Sequence, residues 1–473
     1  MSRLTLGAAL VTLLASGPCL AALKASTVLA PTPVATANAS VFATPLAVFD
    51  GAVYTVNIEP GSQPVVLHGL GLKTVLRRGA RDADGHWRWS QYLVDDQTAN
   101  DPYHTAASVG IDRDGYIHVA YNMHNLPWQY AVSKQPGSID GFVFRGDRVS
   151  IADKWDSQHR DVEFPAPGRA AIPGTQVTYP AFFNDRNGTL YVTYRYAARP
   201  ARDFGQRQYS GGLAAYDEAT RQWHAIGGDL VIEGADAELP GGQTRAVTRP
   251  LISEPGWWVY QIRLAFDADN GMHLAWYWRK NSSGVNQDHA SYAYAPPGST
   301  DFQSADGQQL DLPIGLAAAG RVGDDRLASL APDGFYSPAR ITVSRDGHPV
   351  LNLQSINGPR FTLFLDRRQW SKPAPTPGQA WELHYDDAGH EWAFVSGLTV
   401  LRRAVHANGT PRSNWTTVFE GDRTSHGNLC HPRAVRGADD AQGRPTFYIH
   451  GNVINDVGRC ENDRIAIVWL AEK

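Results

Sequence analysis

The stretch IDRDGYIHVAYNMH, from Ile111 to His124, contains the pattern that decides the fold. Asp114-Gly115 is a dipeptide typical of the two-residue turns that join antiparallel strands. The residues after it alternate between two faces, as they do in a β-strand, and no helical spacing runs through the stretch. It therefore predicts a strand, a tight turn and a second strand.

Related strand–turn–strand units recur along the rest of the chain. They are FFNDRNGTLYVTYRY from Phe182, FDADNGMHLAWYWR from Phe266, VSRDGHPVLNLQ from Val343, YDDAGHEWAFVSG from Tyr385 and ADDAQGRPTFYIHGN from Ala438. Such units bury their faces against one another, and a propeller closes them into a ring that hides the edge strands. Blades of roughly 40–65 residues fit this length about seven times. We expect an all-β, seven-bladed β-propeller; a parallel β-helix, with shorter and more regular repeats, is the alternative.

The N-terminus, MSRLTLGAALVTLLASGPCLAALKA, has the features of a secretory signal peptide. A cation, Arg3, precedes an apolar run from Leu4 to Ala15, and small residues follow at Ala21 and Ala22. The run is shorter than the roughly 20 residues that span a bilayer. We expect cleavage of residues 1–22, a single domain over residues 23–473, a secreted or periplasmic monomer, and no membrane attachment afterwards.

Charge and cysteine content restrict the partners. The net charge of −4 provides no basic field for nucleic acid, so an acidic ligand must be held by local cations. Without the signal peptide, Cys430 and Cys460 are the cysteines that remain, and an even pair in an oxidising compartment favours a disulfide. His426 and His431 beside Cys430 keep a zinc site open as the alternative.

The hairpin turns predict which polar residues face each other, because residues at equal distances from a turn are opposed. His104 and His124 lie ten residues before and nine after Asp114-Gly115. Tyr179 and Arg195 lie eight residues before and seven after Asn187-Gly188, with the same one-residue offset. Each hairpin would therefore present a polar pair at its open end, where neighbouring blades converge.

A third pair, Tyr260 and Arg279, matches the turn at Asn270-Gly271 less closely, with an offset of two residues.

Other conspicuous residues have a structural interpretation. His118 and His273 occupy one position in two copies of the repeat, which predicts an architectural role. Trp276 and Trp278 are expected to pack inside a blade, since large aromatic residues dominate cores. Titratable groups collected in one place, by contrast, favour acid–base chemistry for His104 and His124.

These segments resemble the BNR-repeat polysaccharide lyases, whose best-known members are the seven-bladed ulvan lyases. The resemblance lies in NDPYHTAASVGIDRDGYIHVAYNMHN, VTYPAFFNDRNGTLYVTYR and YQIRLAFDADNGMHLAWYWR. It implies an active site of two histidines, a tyrosine and an arginine, which match His104, His124, Tyr179 and Arg195. A second tyrosine of the family maps onto Tyr260, and Arg279, Asn125 and His289 complete the expected substrate-binding set.

The resemblance also implies the substrate and the reaction. The substrate is an anionic polysaccharide with rhamnose linked to C4 of glucuronate or iduronate, and the reaction is β-elimination, which needs no cofactor. Some relatives hold zinc near the segment that matches NQDHASYAYAP, but this chain has His289 there and no cysteine. We therefore expect no catalytic metal and leave any structural metal ion unassigned.

The residue types suggest a division of roles. Arg195 suits a carboxylate clamp, because guanidinium is always charged and can form two parallel hydrogen bonds. Tyr179 would abstract the C5 proton and return it to the leaving oxygen. His104 and His124 would hold or polarise the carboxylate, or one of them would share the acid–base role.

Two other functions compete with the lyase interpretation. Propellers with Asp-rich turns also occur among glycoside hydrolases, which usually need a pair of carboxylic acids. The acids of this chain fall mainly in turns, where they are expected for backbone reasons; they are Asp112, Asp114, Asp185, Asp267 and Asp269. A non-catalytic glycan-binding propeller would need Arg195 and aromatic residues, but no pair of histidines.

Overall fold

The structure is a computed structural model that describes most of the chain. The described residues are 23–35, 42–61, 70–101, 104–126, 128–144, 172, 177–199, 208–227, 230–235, 244–248, 250–280, 288–323, 325–335, 340–356, 358–421, 429–440, 444–455 and 458–472. The predicted signal peptide, residues 1–22, lies outside them, as does His426.

The described residues are almost entirely β-structure. The strands of the first half are β1 (Leu23–Pro33), β2 (Leu46–Phe49), β3 (Ala52–Pro60), β4 (Leu70–Arg81), β5 (Trp87–Ala99), β6 (Ser108–Ile111), β7 (Ile117–Ala120), β8 (His124–Leu126), β9 (Tyr130–Ser133), β10 (Phe142–Phe144), β11 (Val177–Asn184), β12 (Leu190–Arg199), β13 (Gln208–Asp217), β14 (Gln222–Ala225), β15 (Leu230–Ala235) and β16 (Thr244–Thr248).

The second half continues the pattern and adds short helices. The strands are β17 (Trp257–Phe266), β18 (Met272–Lys280), β19 (His289–Ala295), β20 (Arg340–Val343), β21 (Pro349–Gln354), β22 (Arg360–Asp366), β23 (Gln369–Trp370), β24 (Ala374–Pro375), β25 (Glu382–Tyr385), β26 (His390–Val395), β27 (Thr399–Ala404), β28 (Thr416–Glu420), β29 (Leu429–Arg436), β30 (Thr446–Ile454) and β31 (Cys460–Glu472). The helices are α1 (Leu316–Ala319), α2 (Asp325–Leu330) and the 3₁₀ turn Pro377–Gln379.

Seven antiparallel sheets form the blades of a β-propeller, which confirms the predicted fold. In order around the ring they are β2-β3-β4-β5, β6-β7-β9-β10, β8-β11-β12-β13-β14, β17-β18-β19, β20-β21-β22 with β23 and β24, β25-β26-β27-β28, and β29-β30-β31-β1. The innermost strands contact one another in the same order, and β29 of the seventh blade contacts β2 of the first. The hairpin β15-β16 forms a separate two-stranded sheet.

The first and last strands close the ring. β1 pairs with β31, from Leu23 opposite Glu472 to Pro33 opposite Arg464. One blade therefore combines strands from both ends of the described chain, which closes the ring. Cys430 and Cys460 in this blade form a disulfide, as the even cysteine count favoured. Within the described residues, no helix is long and apolar enough to cross a membrane.

The quoted repeat units form the inner hairpins of six blades, but their turns are longer than predicted. Ile111 pairs with Ile117, so the first turn is centred on Asp114 rather than between Asp114 and Gly115. Asp112 sets this loop, because its Oδ1 accepts the backbone N–H of Tyr116 at 2.8 Å. Gly115 has a φ of 87°, which a residue with a side chain rarely adopts. The inner hairpin of the first blade, VFDGAVYTV, escaped the sequence comparison because its Asp50-Gly51 turn lacks this longer loop.

The predicted architectural residues lie inside the blades. His118 bonds to the Tyr130 hydroxyl at 2.5 Å through Nδ1 and to Asp112 at 3.1 Å through Nε2. His273 makes the matching bonds to Tyr292 and Asp267, at 2.8 and 3.3 Å. Both histidines are buried, and Trp276 and Trp278 are fully enclosed. These residues hold strands of a blade together, which confirms their structural interpretation.

Candidate active site

A repeated backbone irregularity shapes one end of the central channel. The inner strands β11, β17 and β29 each contain a β-bulge, at Thr178–Ala181, Tyr260–Arg263 and Cys430–Arg433. Each bulge includes a residue with positive φ, and these are Tyr179 (61°), Gln261 (59°) and His431 (53°). Non-glycine residues avoid this conformation unless the surrounding structure imposes it, and such positions often belong to functional sites. The bulge re-aims side chains at this end of the channel.

His104 and His124 meet at this end, but by a route that differs from the prediction. They do not face each other on paired strands, because the β6–β7 pairing ends at Ser108 and Ala120. His124 instead begins β8, which pairs with β11 of the next blade, and His104 lies in a turn. Their rings stack with a centroid separation of 3.9 Å and an interplanar angle of 2°.

Asp101 holds both histidines. Its Oδ1 lies 2.8 Å from His104 Nδ1, and its Oδ2 lies 2.5 Å from His124 Nδ1. Burial disfavours the carboxylate, but the hydrogen bonds to the two rings outweigh it and hold the pKa of Asp101 below its usual range. An ionised Asp101 requires a proton on Nδ1 of each ring, so it fixes the tautomers and directs each Nε2 away from itself.

The two stacked rings differ in environment. The His124 side chain is 16% exposed and the His104 side chain 35% exposed. Burial lowers the pKa of His124 to about 4, although its bond to Asp101 opposes the shift. His124 is therefore neutral at pH 7, and His104 is the ring that is more accessible to a ligand.

Arg195 lies beneath three tyrosine rings. Its guanidinium carbon is 4.8 Å from the ring centroid of Tyr179, 4.3 Å from that of Tyr209 and 4.7 Å from that of Tyr260. Arg195 is only 4% exposed, and its Nε has no hydrogen-bond partner among the described residues. No described carboxylate forms an ion pair with it. A buried cation in this state favours binding of an anion.

Tyr179 connects Arg195 to the histidines. Its ring centroid lies 5.9 Å from that of His104 and 4.2 Å from that of Phe42. In the strand register Arg195 pairs with Thr178, one residue from the predicted partner, because the bulge begins there. Burial raises the pKa of Tyr179 well above its usual value, and Arg195 opposes this only in part. The phenol is therefore neutral at pH 7.

Tyr260 and Arg279 also lie at the site. Tyr260 pairs with Tyr277 and Arg279 with Trp258, which explains the two-residue offset seen in the sequence. The side chains still meet, because Arg279 Nη1 donates to the Tyr260 hydroxyl at 3.3 Å. Tyr260 in turn lies 6.0 Å from Tyr179, measured between ring centroids.

The described contacts of Asn125 and His289 are with residues outside this group. Asn125 is buried, and its backbone N–H donates to Thr178 Oγ1 at 3.0 Å while its Oδ1 accepts from the same hydroxyl at 3.2 Å. It therefore joins β8 to β11. His289 is buried on β19 against Trp257, with ring centroids 5.4 Å apart, and burial lowers its pKa to about 4.

Asp101 and Tyr209 are the site residues that the sequence did not reveal. Asp101 stands three residues before His104 in NDPYH, and this spacing was the available signal. Tyr209 is on β13 of the same blade as Arg195, far from any quoted motif.

Two clusters offer three potential metal-ligand atoms within 4.8 Å of one another. One is Asp101, His104 and His124, and the other is Cys430, His431 and Cys460, whose two cysteines form the disulfide.

The acids of the repeat turns lie at the opposite end of the channel. Tyr179 is near the start of β11, whereas Asp185 follows the end of the same strand. Asp185 Oδ1 accepts the backbone N–H of Thr189 at 2.8 Å, and Asp267 Oδ1 accepts that of Gly271 at 2.6 Å. Among the described residues, Asp101 is the one carboxylate in contact with the site's histidines.

The ring of blades and the polar group at its end define a β-propeller with a candidate active site. Residues 71–393 match the family described as "BNR repeat-containing family member", and because this is more than half of the chain, the protein belongs to that family. No curated protein sequence matches it.

Solved structures share the fold. The polysaccharide lyase Uly1 is similar with a TM-score of 0.59 and 15% identity, over 92% of this chain and 90% of that one. A PL25 ulvan lyase bound to -[GlcA(1-4)Rha3S]- is similar with a TM-score of 0.54 and 10% identity, over 94% of this chain and 95% of that one. At these identities the likeness concerns the fold.

Proposed function

We propose that the protein is an exported polysaccharide lyase that cleaves a uronate-containing glycan by β-elimination at the His104–Tyr179–Arg195 site. The observation that carries the proposal is Arg195, a buried guanidinium without a described carboxylate partner, within a group of titratable side chains. The names of the two similar structures, a polysaccharide lyase and an ulvan lyase bound to a glucuronate–rhamnose sulfate chain, support it. We propose a related substrate, with rhamnose linked to C4 of glucuronate or iduronate.

The first task in this reaction is to acidify the C5 hydrogen of the uronate. Arg195 would bind the adjacent carboxylate with two charge-assisted hydrogen bonds and stabilise the negative charge that develops there. The three tyrosine rings keep water from the guanidinium, which strengthens that interaction. Arg279 and Tyr260, which are hydrogen-bonded to each other, would contact the same sugar.

Proton transfer then needs one base and one acid. Asp101 holds Nδ1 of His104, so its Nε2 lone pair would accept the C5 proton. Electrons of the C5–H bond form the C4–C5 double bond as the C4–O bond breaks. The neutral phenol of Tyr179 would give its proton to the leaving oxygen. Afterwards solvent would return a proton to Tyr179 and take the C5 proton from His104. The burial of Tyr179 favours this acid role over the base role suggested by the sequence.

A panel of uronate polysaccharides tests the proposal, because the unsaturated uronate absorbs ultraviolet light. His104→Ala, Tyr179→Phe and Arg195→Ala should each remove most of the absorbance increase while retaining the native circular dichroism spectrum. Tyr191→Phe and Arg113→Ala are matched controls, since both residues lie near the opposite end of the blades. They should cleave at the wild-type rate.

Two results would contradict the lyase proposal. New reducing ends without the chromophore would identify a hydrolase, whose usual second carboxylic acid is not among the described residues of the site. Binding of the intact polymer without any cleavage would identify a glycan-binding propeller. Mass analysis separates these outcomes, because hydrolysis adds a water that elimination does not.

A further inference from the structure

Gln261 occupies the same backbone position in blade four as Tyr179 does in blade three. In both inner strands, β17 and β11, two residues of the bulge stand opposite one residue of the partner strand, and Gln261 and Tyr179 are the first of the two. Their φ angles are 59° and 61°. The two strands contact each other in the ring. Gln261 therefore holds the place that corresponds to Tyr179, one blade further around the same end of the channel.

The side chain of Gln261 is a buried amide without a hydrogen bond. The residue is 4% exposed, like Arg195, and is slightly more buried than Tyr179 at 6%. Neither its Nε2 nor its Oε1 has a hydrogen-bond partner among the described residues. The great majority of buried polar side chains are hydrogen-bonded, because leaving water without a new partner is unfavourable. Gln261 thus retains two donors and an acceptor for a ligand.

The backbone adds a second unfavourable term at the same residue. Positive φ is disfavoured for residues with a Cβ, and glycine would relieve it. The next residue fixes the bulge, since the Ile262 carbonyl accepts from Thr193 Oγ1 at 3.0 Å and the Ile262 side chain packs against Gly211. The Gln261 side chain makes no described bond that would hold this arrangement. Residues under such strain cluster at active sites and at sites that hold a ligand.

The residues next to Gln261 suit an acidic sugar, whereas Gln261 suits a neutral one. Tyr260 precedes it, lies 4.7 Å from the Arg195 guanidinium carbon and accepts from Arg279. These two cations bind the carboxylate in the proposed function. An amide carries no net charge, and its donors and acceptor match sugar hydroxyls, each of which can also donate and accept. Gln261 lies a blade beyond Arg195, on the side away from the histidines, where the sugar next to the uronate can lie.

We propose that Gln261 is a substrate-binding residue that hydrogen-bonds hydroxyl groups of the neutral sugar linked to the uronate. The inference rests on the proposed function and adds recognition of a second sugar to recognition of the carboxylate. Arg195 reads the charge of the substrate, and Gln261 reads the hydroxyl pattern beside it. Gln261 takes no part in proton transfer.

Gln261→Met tests the inference, because methionine has a similar length and no amide. KM for the cleaved polysaccharide should rise about tenfold with kcat nearly unchanged, as expected when uncharged hydrogen bonds to bound substrate are lost. The Tm without ligand should not fall, since the change removes a buried amide that has no partner. A lower Tm with an unchanged KM would show that the amide is structural and would overturn the inference.

Two further variants keep the test decisive. Gln303→Met is the matched control in the same blade, because Gln303 pairs with Tyr294 at the end that holds the repeat turns. It should keep the wild-type KM and kcat, and a rise in KM equal to that of Gln261→Met would overturn the inference. Gln261→Asn keeps a shorter amide and tolerates positive φ. If Gln261→Met does not fold, Gln261→Asn should still raise KM a few-fold.

A carboxyl-reduced form of the polysaccharide separates this inference from the lyase proposal. It keeps the ring hydroxyls but lacks the carboxylate that acidifies the C5 hydrogen, so calorimetry measures its binding without cleavage. Gln261→Met should weaken this binding about tenfold, whereas Arg195→Ala should leave it nearly unchanged. Equal binding by wild type and Gln261→Met would overturn the inference. Failure of the lyase proposal is a different result, namely a native polysaccharide that yields no ultraviolet chromophore, and it does not affect this binding measurement.

Discussion

Aspartate and histidine meet at both ends of the propeller, with different consequences. At the end with the repeat turns, His118 and His273 are buried, and each uses both ring nitrogens, one for an aspartate and one for a tyrosine. At the other end Asp101 serves two rings, and the His104 side chain remains 35% exposed. The same residue types therefore hold strands of a blade together at one end. At the other end they orient Nε2 of a histidine towards a ligand. Exposure and the number of bonds per ring decide between these roles, not residue identity.

Removing one histidine from each end should separate the two roles most clearly. His104→Ala should reduce kcat/KM about 100-fold or more, the usual contribution of a general base, while Tm changes little. His273→Ala should keep the activity per folded molecule and lower Tm, because it leaves a cavity and strips partners from Asp267 and Tyr292. Ultraviolet rates and thermal melts measure both. A large activity loss from His273→Ala at a temperature where it is folded would contradict the distinction.

The aspartates should follow the same division with a smaller effect. Asp101→Asn should lower kcat/KM about 10–100-fold, since the rings lose the carboxylate that sets their tautomers. Asp267→Asn serves as the matched change at the other end and should affect Tm rather than rate, because Asp267 holds the Gly271 turn and His273. Wild-type rates from Asp101→Asn would show that Asp101 does not orient the histidines for catalysis.

Acid should affect the exposed end through His124. Its folded pKa of about 4 lies below the ordinary value of 6.5, so the unfolded chain takes up this proton first as pH falls. The free energy of unfolding is therefore unaffected by this group above about pH 6.5, and it declines as the pH falls from 6.5 towards 4. The rate should fall near pH 4, where the cation forms beside His104 and Arg195. A pH–rate profile, with circular dichroism to exclude unfolding, measures this; an unchanged rate through pH 4 would contradict it.

The smallest expected effect concerns the hydroxyl of Tyr260. Tyr260→Phe retains the ring over Arg195 and removes only the acceptor for Arg279, so KM should rise a few-fold with kcat nearly unchanged. Tyr294→Phe, at the distant end beside His273, is the control. A loss as large as that of His104→Ala would instead place the Tyr260 hydroxyl in proton transfer.

Local sequence was sufficient to recognise six of the seven inner hairpins, but not the length of their turns. Period-two alternation and an Asp–Gly loop are short-range properties, so six inner hairpins could be recognised without knowledge of the fold. Comparison of the hairpins also predicted that Tyr179 lies close to Arg195, because strand register is set by the adjacent turn. Its errors of one or two residues came from loop length and from bulges, which local patterns do not reveal.

The sequence by itself determined the class of fold, the architectural histidines and four of the residues that now share one site. Tertiary structure alone decided how they meet. His104 and His124 do not pair as strand neighbours; β8 crosses to the next blade and Asp101 joins the two rings. Contacts between distant segments depend on the whole ring, whereas a hairpin depends on its own few residues.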